Sequence, residues 1–370
     1  MRVAACLFAL LTVTACSGDT DPNQPDENAA PGSLSLDDVQ TVATGLEVPW
    51  DIAFVDEDTI LVTERGGRVR LVENGRVSED LLLELDVLSV SEEGLLGLAL
   101  HPDFPEDRHA YIYYTTDADN RVSRYELDED LRFGTEDVVI DGIPAAQNHD
   151  GGRIAFGPDG MLYIGTGDAQ DEASAADIDS LAGKILRVSP DGSVPDDNPT
   201  RGSPVYSYGH RNVQGLDWDE DGRMFASEHG PTGEGGLCCH DELNVIEEGG
   251  FYGWPYRAGE SPGPVSGDPP EEPIDPLAES GQDTWAPSGI AVDTSADEDA
   301  VLVATLAGRE LLRFVVQDDS AEEPSAVLDG HGRLRAARFG PDDCLYLTTS
   351  NTDGRGSPSE EDDRILKICP

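Results

Sequence analysis

The residues of this chain best suited to chemistry lie in glycine-rich, loop-like phrases. His149 stands between Asn148 and Asp150 in QNHDGGR. An imidazole titrates near ~6.5 and can hold or release a proton at neutral pH, although a lone histidine is more often structural. Arg211 and Asn212 adjoin in GHRNVQGLDW, where they can equally be a surface pair. Arg333 and Arg335 flank Leu334 and therefore face the same side of a strand. Two neighbouring guanidiniums repel one another unless an anion lies between them. The chain has 24 Lys+Arg against 75 Asp+Glu. In such a chain the pair points to an anionic ligand, a carboxylate or a phosphate.

These residues must be positioned by strands. The phrase IAFVDEDTILVTE (52–64) consists of a short apolar strand, an acidic turn and a second apolar strand ending in small polar residues. It recurs at 98–115, 154–167, 216–228, 290–306 and 337–350. Alternating segments such as GRVRLVE, NRVSRYEL, GKILRVS and ELLRFVV follow the copies and read as the next strand out. A strand phrase repeating at this interval predicts an all-β fold, a β-propeller, and six copies predict six blades. Loops at one face of a propeller converge on its axis, so distant polar residues can form one site. The first strand-like segment, VQTVATGL (39–46), and the last, RILKIC, are candidates for a shared closing blade. The segment DIDSLAG is expected to form one short turn.

The cysteines divide into three groups. Pairing Cys344 with Cys369 across neighbouring antiparallel strands sets Ser350 opposite Asp363 and leaves 351–362 as a loop. Cys238 and Cys239 are adjacent and precede His240, which allows a vicinal disulfide; no second Cys/His pair stands at zinc-finger spacing. Cys16 follows Val13-Thr14-Ala15, a bacterial lipobox-like ending to the apolar run from Val3 to Val13. That run is too short to span a bilayer and suits a signal h-region. The expected organisation is therefore a lipoprotein signal peptide at 1–15, a lipidated Cys16 opening a flexible tether at 16–36, and one domain at 37–370. The mature chain would be extracytoplasmic, periplasmic or at the cell surface, held to the membrane only through that lipid.

A net charge of −51 excludes nucleic-acid binding as a main function, because no basic surface is available to phosphates. Lysine occurs only at Lys184 and Lys367. A carboxylate-rich, lysine-poor surface suits a halophilic bacterium, since salt screens the self-repulsion.

The ordered phrases GLLGLALHPDF, GHRNVQGLDW, EHGP…DELN and GFYGWP resemble the pyrroloquinoline-quinone (PQQ)-dependent soluble aldose sugar dehydrogenases of the glucose/sorbosone dehydrogenase family. The resemblance runs from about Val48 to Lys367 and implies a six-bladed propeller. It implies oxidation of an aldose at C1, with PQQ and calcium as cofactors and an external electron acceptor as partner. It makes His149 the catalytic base and places Arg211 and Asn212 against the quinone. Glu92, Thr284, Arg333 and Arg335 become cofactor contacts. Gly230 and Pro231 would hold calcium through their carbonyls, with Glu242 and Tyr252 supporting a calcium in that region. The family pattern has a lysine where Ala307 stands and an Asp where Ala336 stands; Glu279 and Gln282 replace aromatic substrate contacts of the glucose-specialised enzymes. The insertion CCH beside the calcium loop has no counterpart in the pattern. Two rival functions are a calcium-dependent lactonase and a non-catalytic sugar- or protein-binding propeller.

The Debye length shrinks from roughly 30 Å at 0.01 M salt to roughly 3 Å at 1 M. Melting temperature should therefore rise with sodium or potassium chloride up to molar concentrations. A flat melting temperature between about 0.05 M and 2 M would contradict adaptation to salt.

Overall fold

The computed structural model describes residues 34–36, 38–295, 299–317 and 320–370. The proposed signal peptide, Cys16 and most of the tether lie outside these residues. The described chain forms six antiparallel sheets of four or five strands, plus one small hairpin. The innermost strands are Pro49–Phe54, Leu95–Leu100, Ile154–Phe156, Val213–Trp218, Pro287–Asp293 and Leu334–Phe339, in blades 1 to 6 respectively. Each begins or contains the first apolar segment of one repeat phrase, and the second strand of each blade is the second segment. Thr59–Glu64, Leu162–Gly165, Ala300–Thr305 and Leu345–Thr349 are buried throughout, as expected for strands covered on both faces.

The core is shared between blades. Ile52, Ile60 and Val62 of blade 1 pack with Ala336, Tyr346 and Ile365 of blade 6. Ala53, Leu61 and Val69 of blade 1 pack with Leu95, Leu98 and Ile112 of blade 2. The axis is pinned by a buried carboxylate: Asp51 accepts the Leu98 N–H at 3.1 Å and pairs with Arg153 at 2.6 Å, joining blades 1, 2 and 3. Arg153 also lies over the Trp50 ring, 4.3 Å from its centroid.

Blade 6 takes its outer strand from the other end of the chain. Val39–Thr44 pairs antiparallel with Arg364–Ile368, which pairs with Leu345–Thr349. The register sets Leu345 against Ile368 and Thr348 against Ile365, as the cysteine spacing requires. Cys344 and Cys369 are disulfide-bonded. Among the described residues, helix is confined to Glu172–Ala175 and a 3₁₀ turn at Glu234–Gly236. DIDSLAG, just downstream of the helix, forms a short turn and bends. The Lys184 ammonium donates to the Ser174 and Ala175 carbonyls at 2.9 Å, satisfying the end of the helix. No helix among the described residues is long and apolar enough to cross a membrane.

The Cys344–Cys369 bridge closes a loop across a sequence separation of 25. In the chain-entropy description such a closure contributes about 3 kcal/mol. Peptide mapping without reduction should recover this pair, and the double Ser variant should melt at a lower temperature. An unchanged melting temperature would mean that the strand pairing alone closes the ring.

Candidate active site

Loops leading into and out of the inner strands converge at one end of the axis, around a cavity of about 550 Å³. Glu92, His149, Arg211, Thr284 and Arg333 all line it. Five of the residues singled out from sequence, drawn from separate loops, therefore meet in one place.

His149 is held from three sides. Its backbone adopts φ 65° and its N–H donates to Glu92 Oε2 at 3.0 Å. Gly167 allows the approach of the next turn: a Cβ there would lie 1.9 Å from the His149 carbonyl oxygen. The imidazole Nδ1 lies 2.7 Å from Asp168 Oδ1, and Nε2 lies 2.8 Å from an Arg211 Nη. A guanidinium can only donate, so Nε2 must accept and Nδ1–H must donate to the carboxylate. The network assigns a neutral imidazole whose one lone pair points into the cavity. Asp168 is fully buried and fixed in turn by Trp254, whose indole N–H donates to Oδ2 at 2.8 Å. This is the arrangement of base and orienting acid used in proton-abstracting sites.

Arg211 is positioned by its own neighbours. Glu228 accepts its backbone N–H at 2.7 Å and the His210 Nδ1–H at 2.9 Å. The guanidinium donates to the His229 carbonyl at 3.1 Å and pairs with Glu234. Asn212 is buried behind the cavity wall. Its carbonyl oxygen accepts from Gly151 N–H at 2.9 Å and Gln214 at 3.2 Å, so the amide holds two blades together.

Positive charge collects below His149. The cavity and the narrow space beneath it are lined by Arg65, Arg211, Arg333, Arg335 and Arg355, against Glu92, Asp150, Glu234 and Asp353. Burial raises Asp150 to about 7. Burial, then Arg333 and Arg65, presses Arg335 down to about 9. Arg333 is partly neutralised, donating to Asp353 at 2.8 Å and to the Leu306 carbonyl at 3.0 Å. Arg335 donates to the neutral Gln214 oxygen at 2.9 Å and lies over the Trp50 ring, 5.5 Å from its centroid, with no carboxylate in hydrogen-bond reach among the described residues. The Nε atoms of Arg65, Arg211 and Arg335 are buried without a hydrogen-bond partner. Unpaired buried donors are costly, and this cluster fits a ligand with several carboxylates. Glu92 is held down to about 2: burial alone would raise it, but His229, the His149 N–H and Arg355 outweigh burial.

The expected calcium region lies in the same loop system. Gly230 packs against backbone, since a Cβ there would meet the Cys239 oxygen at 1.9 Å. Asp241 accepts from Gly230 N–H at 2.9 Å and from Trp285 and Ala286 N–H at 2.8 Å, which places Pro231 and Thr284 on either side of it. Glu242 faces Glu228 across neighbouring strands, and burial followed by Glu228 raises it to about 8. Asn244 Oδ1 is buried without a partner. Two close carboxyls and a free amide oxygen suit a hard cation. The Tyr252 hydroxyl is already committed, donating to the Val245 carbonyl and accepting from Glu247 N–H, both at 2.7 Å. Cys238 and Cys239 are joined in a vicinal disulfide.

Asp168, Asp241, His229, Gln214, Asp353 and Glu234 were not singled out from sequence. Asp168 was the most accessible to sequence reasoning, since it immediately follows the third repeat phrase, where the chain returns to the axis. The others lacked a signal because their partners are distant in sequence.

The glucose/sorbosone dehydrogenase signature matches residues 46–359. The aldose sugar dehydrogenase YliI of Escherichia coli is 30% identical, over 92% of this chain and 94% of that protein. The PQQ-bound aldose sugar dehydrogenase of Streptomyces coelicolor is 44% identical, with a TM-score of 0.81, over 92% of this chain and 99% of that one. The apo-form soluble aldose sugar dehydrogenase of Escherichia coli superposes with a TM-score of 0.77 at 29% identity, over 90% of this chain and 99% of that one. With the six blades and the clustered loops, these likenesses establish that the chain belongs to the glucose/sorbosone dehydrogenase family, as a PQQ-dependent aldose sugar dehydrogenase.

Proposed function

We propose that the chain oxidises aldoses at C1 to lactones, with calcium beside the quinone, and passes the electrons to an external acceptor. The observation that carries this reading is the His149 lone pair set above a cluster of underpaired guanidiniums. PQQ, when bound, supplies an electrophilic carbonyl carbon that accepts the hydride from C1. Arg333, Arg335 and Arg65 would hold its carboxylates. Gly230, Pro231 and the Glu242 region would hold calcium, a hard cation able to stabilise negative charge on an oxygen.

The protein's own part is proton handling and orientation. His149 Nε2 takes the proton of the sugar C1 hydroxyl. Because Nε2 has one lone pair, that hydroxyl must first displace the Arg211 donor. Asp168 keeps the proton on Nδ1 and stabilises the imidazolium that forms. Arg211, released from Nε2, is free to stabilise an oxygen that gains charge. A lactonase would also use His149, but a neutral lactone leaves Arg335 and Arg65 without an anion. A binding-only propeller has no need for the Asp168–His149 orientation. Lipidation of Cys16, extracytoplasmic placement and a salt-adapted source complete the proposal, supported by the leader phrase and the composition.

Three variants test these roles. His149→Gln should bind PQQ normally and lose roughly 10²–10⁴-fold in kcat. Wild-type turnover by this variant would remove His149 from the mechanism. Asp168→Asn should lower kcat while sparing quinone affinity, because it disturbs the orientation of the base and the stabilisation of its imidazolium; a loss of affinity alone would assign Asp168 to the cofactor. Arg335→Ala should weaken quinone binding, measured by tryptophan fluorescence, far more than it changes KM for the sugar. Equal effects on both would make Arg335 structural.

A further inference from the structure

We propose that Glu234 carries the proton captured by His149 out to solvent, a role that rests on His149 being the base. Turnover with a one-electron acceptor converts one aldose and two oxidised acceptors into one lactone, two reduced acceptors and two protons. The C1 hydride leaves with the electron pair to the quinone and surrenders its proton when the acceptors are reduced. The other proton breaks from the sugar hydroxyl and forms a bond to Nε2. It must leave before the next turnover, and His149 itself is only 9% exposed.

Among the described side chains around the imidazole, Glu234 is the acid that reaches both Nε2 and solvent. Asp168, behind Nδ1, is fully buried and already accepts from Trp254 and from Gln170 N–H at 2.9 Å. Arg211 at Nε2 cannot accept a proton. Glu92 faces the backbone of His149, and its oxygens receive Arg355 at 3.0 Å and the His149 N–H. Glu234 Oε1 lies 3.7 Å from Nε2, and its side chain is 20% exposed, reaching both the imidazole and solvent. One bridging water or a small side-chain rotation closes that gap. The proton leaves Nε2, bonds to the Glu234 carboxylate and passes to water. Arg211 holds Glu234 below the usual carboxylate range against the upward push of burial, so the carboxylate releases the proton readily.

The loop around Glu234 is built to keep it there. Thr232 N–H donates to Oε2 at 2.6 Å, Gly233 N–H reaches the Leu237 carbonyl at 2.9 Å, and Thr232 bridges to Cys238, which is locked to Cys239. This is the segment carrying the unexplained CCH insertion. Holding a carboxylate beside Nε2 gives that segment a function.

The test is chemical rescue in Glu234→Gln, loaded with PQQ and calcium and assayed with an aldose and a one-electron dye. In a bulky zwitterionic buffer kcat should fall roughly tenfold or more. Added formate, acetate or imidazole should restore it in a saturable way, Glu234→Asp should recover part of it, and wild type should ignore these buffers. Quinone affinity by tryptophan fluorescence should be unchanged. In the cofactor-free chain carrying ¹⁵N-histidine, exchange of the His149 Nε2 proton with water at low pH should slow in Glu234→Gln. Wild-type kcat without buffer dependence, or a loss that no buffer restores, would overturn the proposal while leaving the dehydrogenase reading intact. Wild type without aldose-dependent dye reduction would overturn that reading and the proposal together.

Discussion

Clustering of five guanidiniums at the axis of an acidic propeller is the constraint on which the rest of this structure depends. The whole chain carries a net charge of −51, yet five guanidiniums line one axial cavity and the space below it. Burial removes the water that would screen them, and the acids at hand satisfy only Arg333, Arg211 and Arg355 well. Arg335 and Arg65 remain underpaired, and a multiply carboxylated cofactor supplies what the protein omits. The clustered guanidiniums offer an anionic cofactor a local attraction within so acidic a surface.

The base depends on the same convergence. His149, Asp168, Arg211 and Trp254 come from separate loops, and their mutual distances are fixed only when the blades are closed around the axis. Ring closure by Val39–Thr44 and Arg364–Ile368 is therefore a condition for catalysis as well as for stability. The buried anchors Asp51, Asn212 and Glu228 act at this level: each ties backbone from neighbouring loops or blades and leaves the cavity free for ligands.

Much of this was legible in the sequence. The repeated strand phrase contains the two inner strands of each blade, and the cysteine spacing matches the register of blade 6. Arg333, Arg335, His149 and Arg211 stood out by type and context, and they do converge. Side-chain partnerships were not legible. Asn212 reads as a cofactor contact; its amide oxygen accepts from Gly151 and Gln214, while its Nδ2 lies 3.4 Å from Oε2 of the cavity-lining Glu92. Asp168 looks like any loop acid until the fold brings Trp254 and His149 against it. Glu234 lies in the loop that precedes the Cys238-Cys239-His240 insertion, and its distance from His149 gives it meaning.

The most direct measurement of the central claim is a titration of the purified apo-chain with PQQ, at saturating calcium, reading aldose-dependent reduction of an artificial dye. The structure predicts activity that is absent without quinone, requires an aldose, and saturates at one quinone per chain. Tight quinone binding with no aldose-dependent reduction at any concentration would contradict it, leaving a propeller that holds the cofactor's charge without doing its chemistry.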